Sequence, residues 1–331
     1  MREAILEGKR EFVVRDVPEP VLDEGEVLIK VQYCGICGSD LITYIQGVPA
    51  RYGHEFSGDI VEVGKGVKGW EIGDRVTAEC IIPCGECYWC IRGEMGLCEN
   101  FDVAWSQPPG AFATYTKAEY HRLHRFTPET SYEEAALVEP TAIALHAVRL
   151  SKMAAGDVVA VLGLGPIGQL VARLARISGA RAVYATEASQ SRIDLAKGVV
   201  DEVIDVNILN PVDRILDLTG GRGPDVVFEC AGAISATQES ITLVRKGGTV
   251  VLAGVCIYPV ETLAGNIVLK ELTLRGSMLC YAGEYATALN LIEDKRIDVA
   301  PLITSVMPLD DINEAFEMAV RAEGGKILIR P

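Results

Sequence analysis

Two rhythms of apolar and polar positions divide the chain. In the first part the apolar positions come in short runs broken by glycine. Val27-Leu-Ile-Lys-Val-Gln-Tyr33 is rich in β-branched and aromatic residues and follows the turn signal Asp23-Glu-Gly25. Asp59-Ile-Val-Glu-Val63 and Gly73-Asp74-Arg75-Val76-Thr77 repeat the form, with Gly64, Gly66 and Gly69 between them, and residues 110–126 return to it. Many short strands with glycine turns predict an all-β, barrel-like domain. Ser131 to Leu150 then takes a helical period. It opens with the capping-box pattern Ser131-Tyr-Glu-Glu134, and Pro140 within it interrupts or restarts the helix.

From Gly156 onward, strands alternate with helices. Strand Val158–Leu162 leads to helix 166–178, strand Ala182–Thr186 to helix Ser189–Lys197, and strand Val203–Val206 to helix 211–219. Strand Asp225–Cys230 precedes helix Ser235–Val244, and strands Thr249–Ala253 and Leu272–Arg275 close the series. This alternation predicts a parallel, doubly wound sheet of the Rossmann kind. Helices 284–293 and 310–321 and strand Lys326–Arg330 do not extend that sheet, so they return the chain to the first domain. The expected architecture is α/β: a first domain of residues 1–150 and 276–331, with a dinucleotide-binding domain, 151–275, inserted in it.

The turn after the first parallel strand reads Gly163-Leu-Gly165-Pro166-Ile167-Gly168. Its spacing is G-x-G-x-x-G. Gly163 permits the sharp turn, Gly165 lets a diphosphate approach the backbone, and Gly168 lets helix and strand pack closely. The helix that Pro166 and Ile167 open presents free N–H groups to the phosphates. Glu187, 19 residues beyond Gly168, ends the second strand, where an acidic side chain accepts hydrogen bonds from ribose hydroxyls and repels a 2′-phosphate. That favours NAD. Arg192 stands nearby as a phosphate partner and keeps NADP as the alternative.

Composition narrows the partners. A net charge of −15 argues against nucleic acid and anionic membrane. No apolar run is long enough to span a bilayer, and Met1–Arg10 lacks a signal-peptide core, so a cytoplasmic protein is expected. Ten cysteines are present, seven of them between residues 34 and 98. Cys84, Cys87, Cys90 and Cys98 have the separations that suit tetrahedral Zn²⁺ in a closed structural site; two disulfides or free thiols are the alternative. Cys80 reads as a small buried apolar residue. Glu139, beside Pro140 in an apolar setting, reads either as an inward-aimed carboxylate or as a solvated one.

Taken together, several motifs resemble the zinc-dependent medium-chain alcohol dehydrogenases. They are Cys34-Gly-Ile-Cys37-Gly-Ser39-Asp40, Gly53-His54-Glu55, the four-cysteine lobe, Glu139-Pro140 and the glycine turn. Ala136-Leu-Val-Glu-Pro-Thr-Ala-Ile-Ala-Leu-His-Ala147 is similar to the polyol and 2,3-butanediol dehydrogenase branch. The resemblance implies a GroES-like first domain and a catalytic zinc held by Cys37, His54 and Glu139. Glu55 then stands at the metal or just behind it. Ser39 begins a proton relay, and Asp40 orients the ligand histidine, because a metal-bound imidazole usually donates its other N–H to such a group. Without the motif, Ser39 would read as a turn cap. His121, His124 and His146 have no motif support and read as structural or surface residues.

The implied reaction is hydride transfer between a secondary alcohol, a vicinal diol or small polyol, and NAD, in a homodimer or homotetramer. An amino-alcohol dehydrogenase acting on L-threonine is the alternative within the fold. A zinc- and NAD-binding redox sensor without turnover is the alternative outside it. Two departures from the branch stand out. Ile42 occupies a place where the branch often has histidine, and the segment Gln46–Tyr52 before Gly53 is shorter than usual.

Overall fold

A computed structural model describes residues 1–103, 110–262, 264–281 and 283–331. The chain runs through β1 (Arg2–Gly8), β2 (Glu11–Asp16), β3 (Glu26–Gly35), α1 (Gly38–Gln46), β4 (Glu55–Val63), β5 (Arg75–Ala78), β6 (Ile81–Ile82), β7 (Asp102–Val103), β8 (Tyr115–Glu119) and β9 (Leu123–Arg125). Helices α2 (Tyr132–Ala135) and α3 (Val138–Ser151) follow. Then come β10 (Val158–Leu162), α4 (Pro166–Ile177), β11 (Ala182–Glu187), α5 (Gln190–Leu195), β12 (Glu202–Asp205), α6 (Pro211–Leu218), β13 (Val226–Glu229), α7 (Ile234–Leu243), β14 (Thr249–Leu252), α8 (Ala264–Leu269) and β15 (Thr273–Gly276). The chain ends with α9 (Glu284–Glu293), β16 (Ile303–Pro308), α10 (Ile312–Val320) and β17 (Lys326–Arg330). The described residues divide into two compact units, 1–142 with 281–331, and 143–280. The first boundary falls inside α3.

The first unit is built on a seven-stranded sheet in the order β16-β17-β3-β4-β5-β9, with β8 also on β3. All its pairings are antiparallel except β16 with β17. The C-terminal strand therefore lies beside β3, which leads into the Cys34–Cys37 segment. Phe12, Tyr44, Phe112 and Phe316 form an aromatic centre, with ring centroids 4.7 Å apart for Phe12 and Phe316 and 4.9 Å for Tyr44 and Phe316. Tyr44 comes from α1 and Phe316 from α10, so helices seal the core that the strand pattern alone suggested. The Ser131 box is made: Glu134 N donates to Ser131 Oγ at 3.1 Å, and Ser131 N donates to Glu134 Oε2 at 3.0 Å. It starts the short α2. Pro140 sits in the first turn of α3, where its missing N–H costs nothing.

The second unit holds six parallel strands in the order β12-β11-β10-β13-β14-β15. The order reverses at β10, the doubly wound pattern in which ligands sit beyond the carboxyl ends of the strands. All five residues of β10 are buried, as a central strand covered on both faces requires. Its end is level with its neighbours: Leu162 pairs with Thr186 on one side and Glu229 on the other. No helix among the described residues is long and apolar enough to cross a membrane.

Candidate functional site

Backbone geometry sets the first cluster. Cys37 lies at the N-cap of α1, and its N–H donates to Asp40 Oδ2 at 3.0 Å. The other oxygen of Asp40 is 3.6 Å from His54 Nδ1, an ion-pair distance rather than a hydrogen bond. One buried carboxylate thus faces both the Cys37 backbone and the His54 ring. Gly53 has φ +101°, and a Cβ there would come within 2.6 Å of Phe112 N, so only glycine carries His54 into this position. Glu55 opens β4 opposite Gly35. A Cβ on Gly35 would lie 2.3 Å from Glu55 Oε2, and its absence lets the Glu55 carboxylate reach Lys326 Nζ at 2.5 Å. Lys326 also donates to Ile36 O at 2.9 Å.

Ligand atoms of Cys37, His54 and Glu55 lie within 4.8 Å of one another. Glu139, in the first turn of α3, is buried as well, and its Oε1 accepts Cys80 Sγ at 3.3 Å. Glu55 thus closes on the cysteine and histidine, while Cys80 engages Glu139. Ser39 is exposed in the first turn of α1. Its carbonyl accepts the Thr43 hydroxyl at 3.3 Å.

The electrostatics favour a cation here. Burial pushes Asp40 up to about 6 and Glu139 up to about 7. Burial alone would push His54 down, yet Asp40, Cys37 and Glu139 raise it to about 10. Carboxylates and a thiol are crowded together with His54 and Lys326 to balance them. A divalent ion offsets this excess of negative charge, and a sulfur, imidazole and carboxylate donor set is what Zn²⁺ takes in an open site. The residues fit the metal.

Ligand atoms of Cys84, Cys87, Cys90 and Cys98 also lie within 4.8 Å of one another. The N–H groups of Cys90 and Glu99 pull Cys87 down to about 6, whereas burial and the neighbouring thiols push Cys90 up to about 12. Four thiolates side by side need a cation, and this all-sulfur set fits a closed zinc site.

The glycine turn forms a separate site in the second unit. Gly163 has φ +93°, and a Cβ on Gly168 would stand 1.9 Å from Gly163 O. Gly165 is the N-cap of α4, with Pro166 and Ile167 next. Glu187 is tied to this turn: its Oε2 accepts Leu164 N at 2.8 Å, and its Oε1 accepts Ala188 N at 2.8 Å and Ser189 N at 3.0 Å. The Arg192 guanidinium stands over Gly165, 3.7 Å from where a Cβ would sit. Burial lowers the Arg192 pKa, and Glu187 opposes that shift. The fully buried Gln169 donates to Arg192 O at 2.9 Å and so fixes the arginine's backbone beside the turn.

Residues 23–128 match the family model for the alcohol dehydrogenase GroES-like domain, and residues 166–294 match the model for zinc-binding dehydrogenases. A sorbitol dehydrogenase of Halalkalibacterium halodurans is 35% identical over 98% of this chain and 97% of its own length. The chain belongs to the zinc-binding alcohol dehydrogenases. Among other members of this family, the (R,R)-butanediol dehydrogenase of Bacillus subtilis is 34% identical over the full length of both chains. The crystal structure of a zinc-binding dehydrogenase from Sinorhizobium meliloti, bound to NADP, has a TM-score of 0.94 and 31% identity, covering 100% of this chain and 99% of that one. A parallel, doubly wound sheet accompanies the GroES-like domain, and the expected fold class holds.

Sequence reading missed two residues at the first cluster. Lys326 stands 271 positions from Glu55, and the β17–β3 pairing brings the two together. A lysine opening an apolar strand, Lys326-Ile-Leu-Ile, was the available signal. Cys80 carried none beyond being spare from the four-cysteine spacing.

Proposed function

We propose that this dehydrogenase oxidises a secondary alcohol, a vicinal diol or small polyol, with NAD as hydride acceptor. The observation that carries the reading is the cluster of half-buried Cys37 with buried His54 and Glu55, and buried Glu139 beside it. Cys37 and His54 would hold the catalytic zinc with Glu139 or Glu55 as the carboxylate, and Cys84, Cys87, Cys90 and Cys98 the structural one. When bound, the catalytic zinc supplies a Lewis acid that lets an alcohol lose its proton near neutral pH. Asp40 keeps the His54 ring in its ligating orientation. Lys326 neutralises Glu55 and keeps the cluster from accumulating charge. Ser39, exposed at the start of α1, takes the alcohol proton and passes it to water, Ile42 offering no imidazole for a longer relay.

Gly163, Gly165 and Gly168 make room for the diphosphate, and Pro166 and Ile167 start the helix that faces it. Glu187, already fixed to the turn, disfavours a 2′-phosphate, while the S. meliloti relative bound to NADP keeps Arg192 in view as a phosphate partner. The sorbitol and butanediol dehydrogenases among the relatives support the substrate class. We further propose a cytoplasmic homodimer or homotetramer. In its support, β15 ends the six-stranded sheet with no further strand on it among the described residues, and Val268 and Leu269 of the adjoining α8 are 73% and 79% exposed.

The test is turnover of the zinc-loaded protein on a panel of secondary alcohols, vicinal diols, polyols and L-threonine, each with NAD and with NADP. Preference for diols or polyols with NAD supports the reading. Preference for L-threonine or for NADP replaces the corresponding part of it. Cofactor binding without turnover on any of the panel would favour a redox sensor.

A further inference from the structure

Beyond the glycine turn itself, one buried carboxylate organises the carboxyl ends of the central strands. Glu229 is the last residue of β13 and is fully buried. It pairs across the sheet with Leu162, the last residue before the turn, and with Leu252 on the other side. Its Oε2 is buried with no hydrogen-bond partner among the described residues, whereas its other oxygen is engaged. Oε1 accepts both Ala231 N and Gly232 N at 2.8 Å. Its main-chain carbonyl accepts Ala253 N and Gly254 N, each at 2.8 Å. One residue therefore ties down the loops that follow β13 and β14.

Those loops pack directly on the cofactor turn. A Cβ on Gly163 would lie 2.8 Å from Ala231 Cβ and 3.0 Å from Ala231 N. A Cβ on Gly168 would lie 3.4 Å from Cys230 Cβ. On the far side, a Cβ on Gly254 would lie 2.2 Å from Gly232 N and 2.8 Å from Glu229 Oε2. The Gly163 backbone packs against Ala231, and Gly254 against the Gly232 backbone, closely enough that neither glycine has room for a side chain, and the Glu229 carboxylate closes the stack from within. It is also a carboxyl group near the strand ends where a dinucleotide diphosphate would bind. Burial raises its pKa, and the loop N–H groups oppose that rise without cancelling it.

We infer that Glu229 is a positioning residue of the dinucleotide site, holding the Ala231–Gly232 backbone as the wall that fixes Gly163 in its phosphate-accepting turn. This rests on the reading of the glycine turn as a dinucleotide site. Removing the acceptor leaves two half-buried N–H groups without their carboxylate partner and frees the wall to move. The effect should fall on cofactor affinity and spare the metal cluster, which belongs to the other unit.

The experiment measures NADH and NADPH dissociation constants by nucleotide fluorescence on wild type, Glu229→Ala and Glu229→Gln, with zinc content and steady-state constants on the same preparations. Glu229→Ala should bind the preferred cofactor at least about tenfold more weakly, one to two lost hydrogen bonds being worth that much. Its KM for the cofactor should rise in step, with KM for the alcohol and zinc content unchanged. Glu229→Gln keeps an acceptor oxygen and should stay within about threefold of wild type. If Glu229→Ala does not fold, Gly254→Ala displaces the same wall from its far side with the carboxylate intact, and the same selective loss is expected. A folded Glu229→Ala or Gly254→Ala protein with wild-type cofactor affinity overturns the inference, as does a loss spread equally over cofactor, alcohol and zinc. Wild type binding neither nucleotide would overturn the dinucleotide reading, and the inference with it.

Discussion

Replacing Lys326 by methionine tests the electrostatic account of the first cluster. Nζ donates to Glu55 Oε2 at 2.5 Å and to Ile36 O at 2.9 Å, and the two charged side chains are only 2% and 1% exposed. Methionine fills most of the volume, so the loss is that of a charge and two hydrogen bonds. It leaves Glu55 buried among Cys37, Asp40 and Glu139 without its counterion. Breaking a buried pair from one side costs about 3–5 kcal/mol. In a unit of this size each kcal/mol moves the melting midpoint by about 2–4 °C, so a drop of roughly 6–20 °C is expected. Burial alone would lower the Lys326 pKa, but Glu55 and Cys37 raise it. A raised cationic group contributes its full stability below the ordinary lysine range and loses it only as pH rises through the elevated value. The Lys326→Met deficit should therefore persist unchanged across the neutral range. The assay is calorimetric or circular-dichroism melting of the single variant and of Lys326→Met with Glu55→Gln. The double variant removes both charges and should recover most of the loss. A single-variant midpoint within about 2 °C of wild type would refute the reasoning, because such a shift corresponds to less than about 1 kcal/mol.

Other consequences are open to measurement. Lys270 Nζ donates to the carbonyls of Ile241, Thr242 and Val244 at 3.3, 2.6 and 3.1 Å, closing the C-terminal end of α7, so Lys270→Met should lower urea stability by about 1–2 kcal/mol without changing zinc content. Asp225 is raised by burial but lowered further by Val158 N and Arg245, for a net depression. Its contribution is present above the ordinary aspartate pKa and is lost as pH falls through the depressed one. The urea-midpoint gap between wild type and Asp225→Asn should therefore be full at neutral pH and vanish in strong acid. Gly168→Ala puts a methyl 1.9 Å from Gly163 O and should weaken NADH binding by at least about tenfold in a fluorescence titration, overpacking of this kind costing about 1–3 kcal/mol.

Sequence legibility differed by feature. The doubly wound sheet was readable because each strand carries a local apolar run and each helix its own period, and observed ends differ from the expected ones by one or two residues, as with β13 at Val226–Glu229 and α5 at Gln190–Leu195. The glycine turn was readable because its spacing is local. Helix α1 was not foreseen: only nine residues long, it follows directly on the Cys34–Cys37 motif in a stretch that otherwise reads as strands. Helix α8 was missed for a similar reason, being six residues long with none of them buried. At the first cluster, Cys37 and His54 stood out because both belong to compact motifs. The Glu55–Lys326 pair and the Cys80–Glu139 contact did not, since sheet pairing and packing alone make them. Glu229 looked like the end of a strand, and only the register showed that it lies level with the turn.

Zinc per chain in wild type, Cys37→Ser and Cys90→Ser, read beside alcohol-dependent NAD reduction on the same folded preparations, tests the central claim most directly. Two separate sites predict about two ions in wild type and about one in each variant, with turnover abolished only in Cys37→Ser as the direct effect of losing the open site. A Cys37→Ser protein that keeps both ions and its turnover would contradict the account.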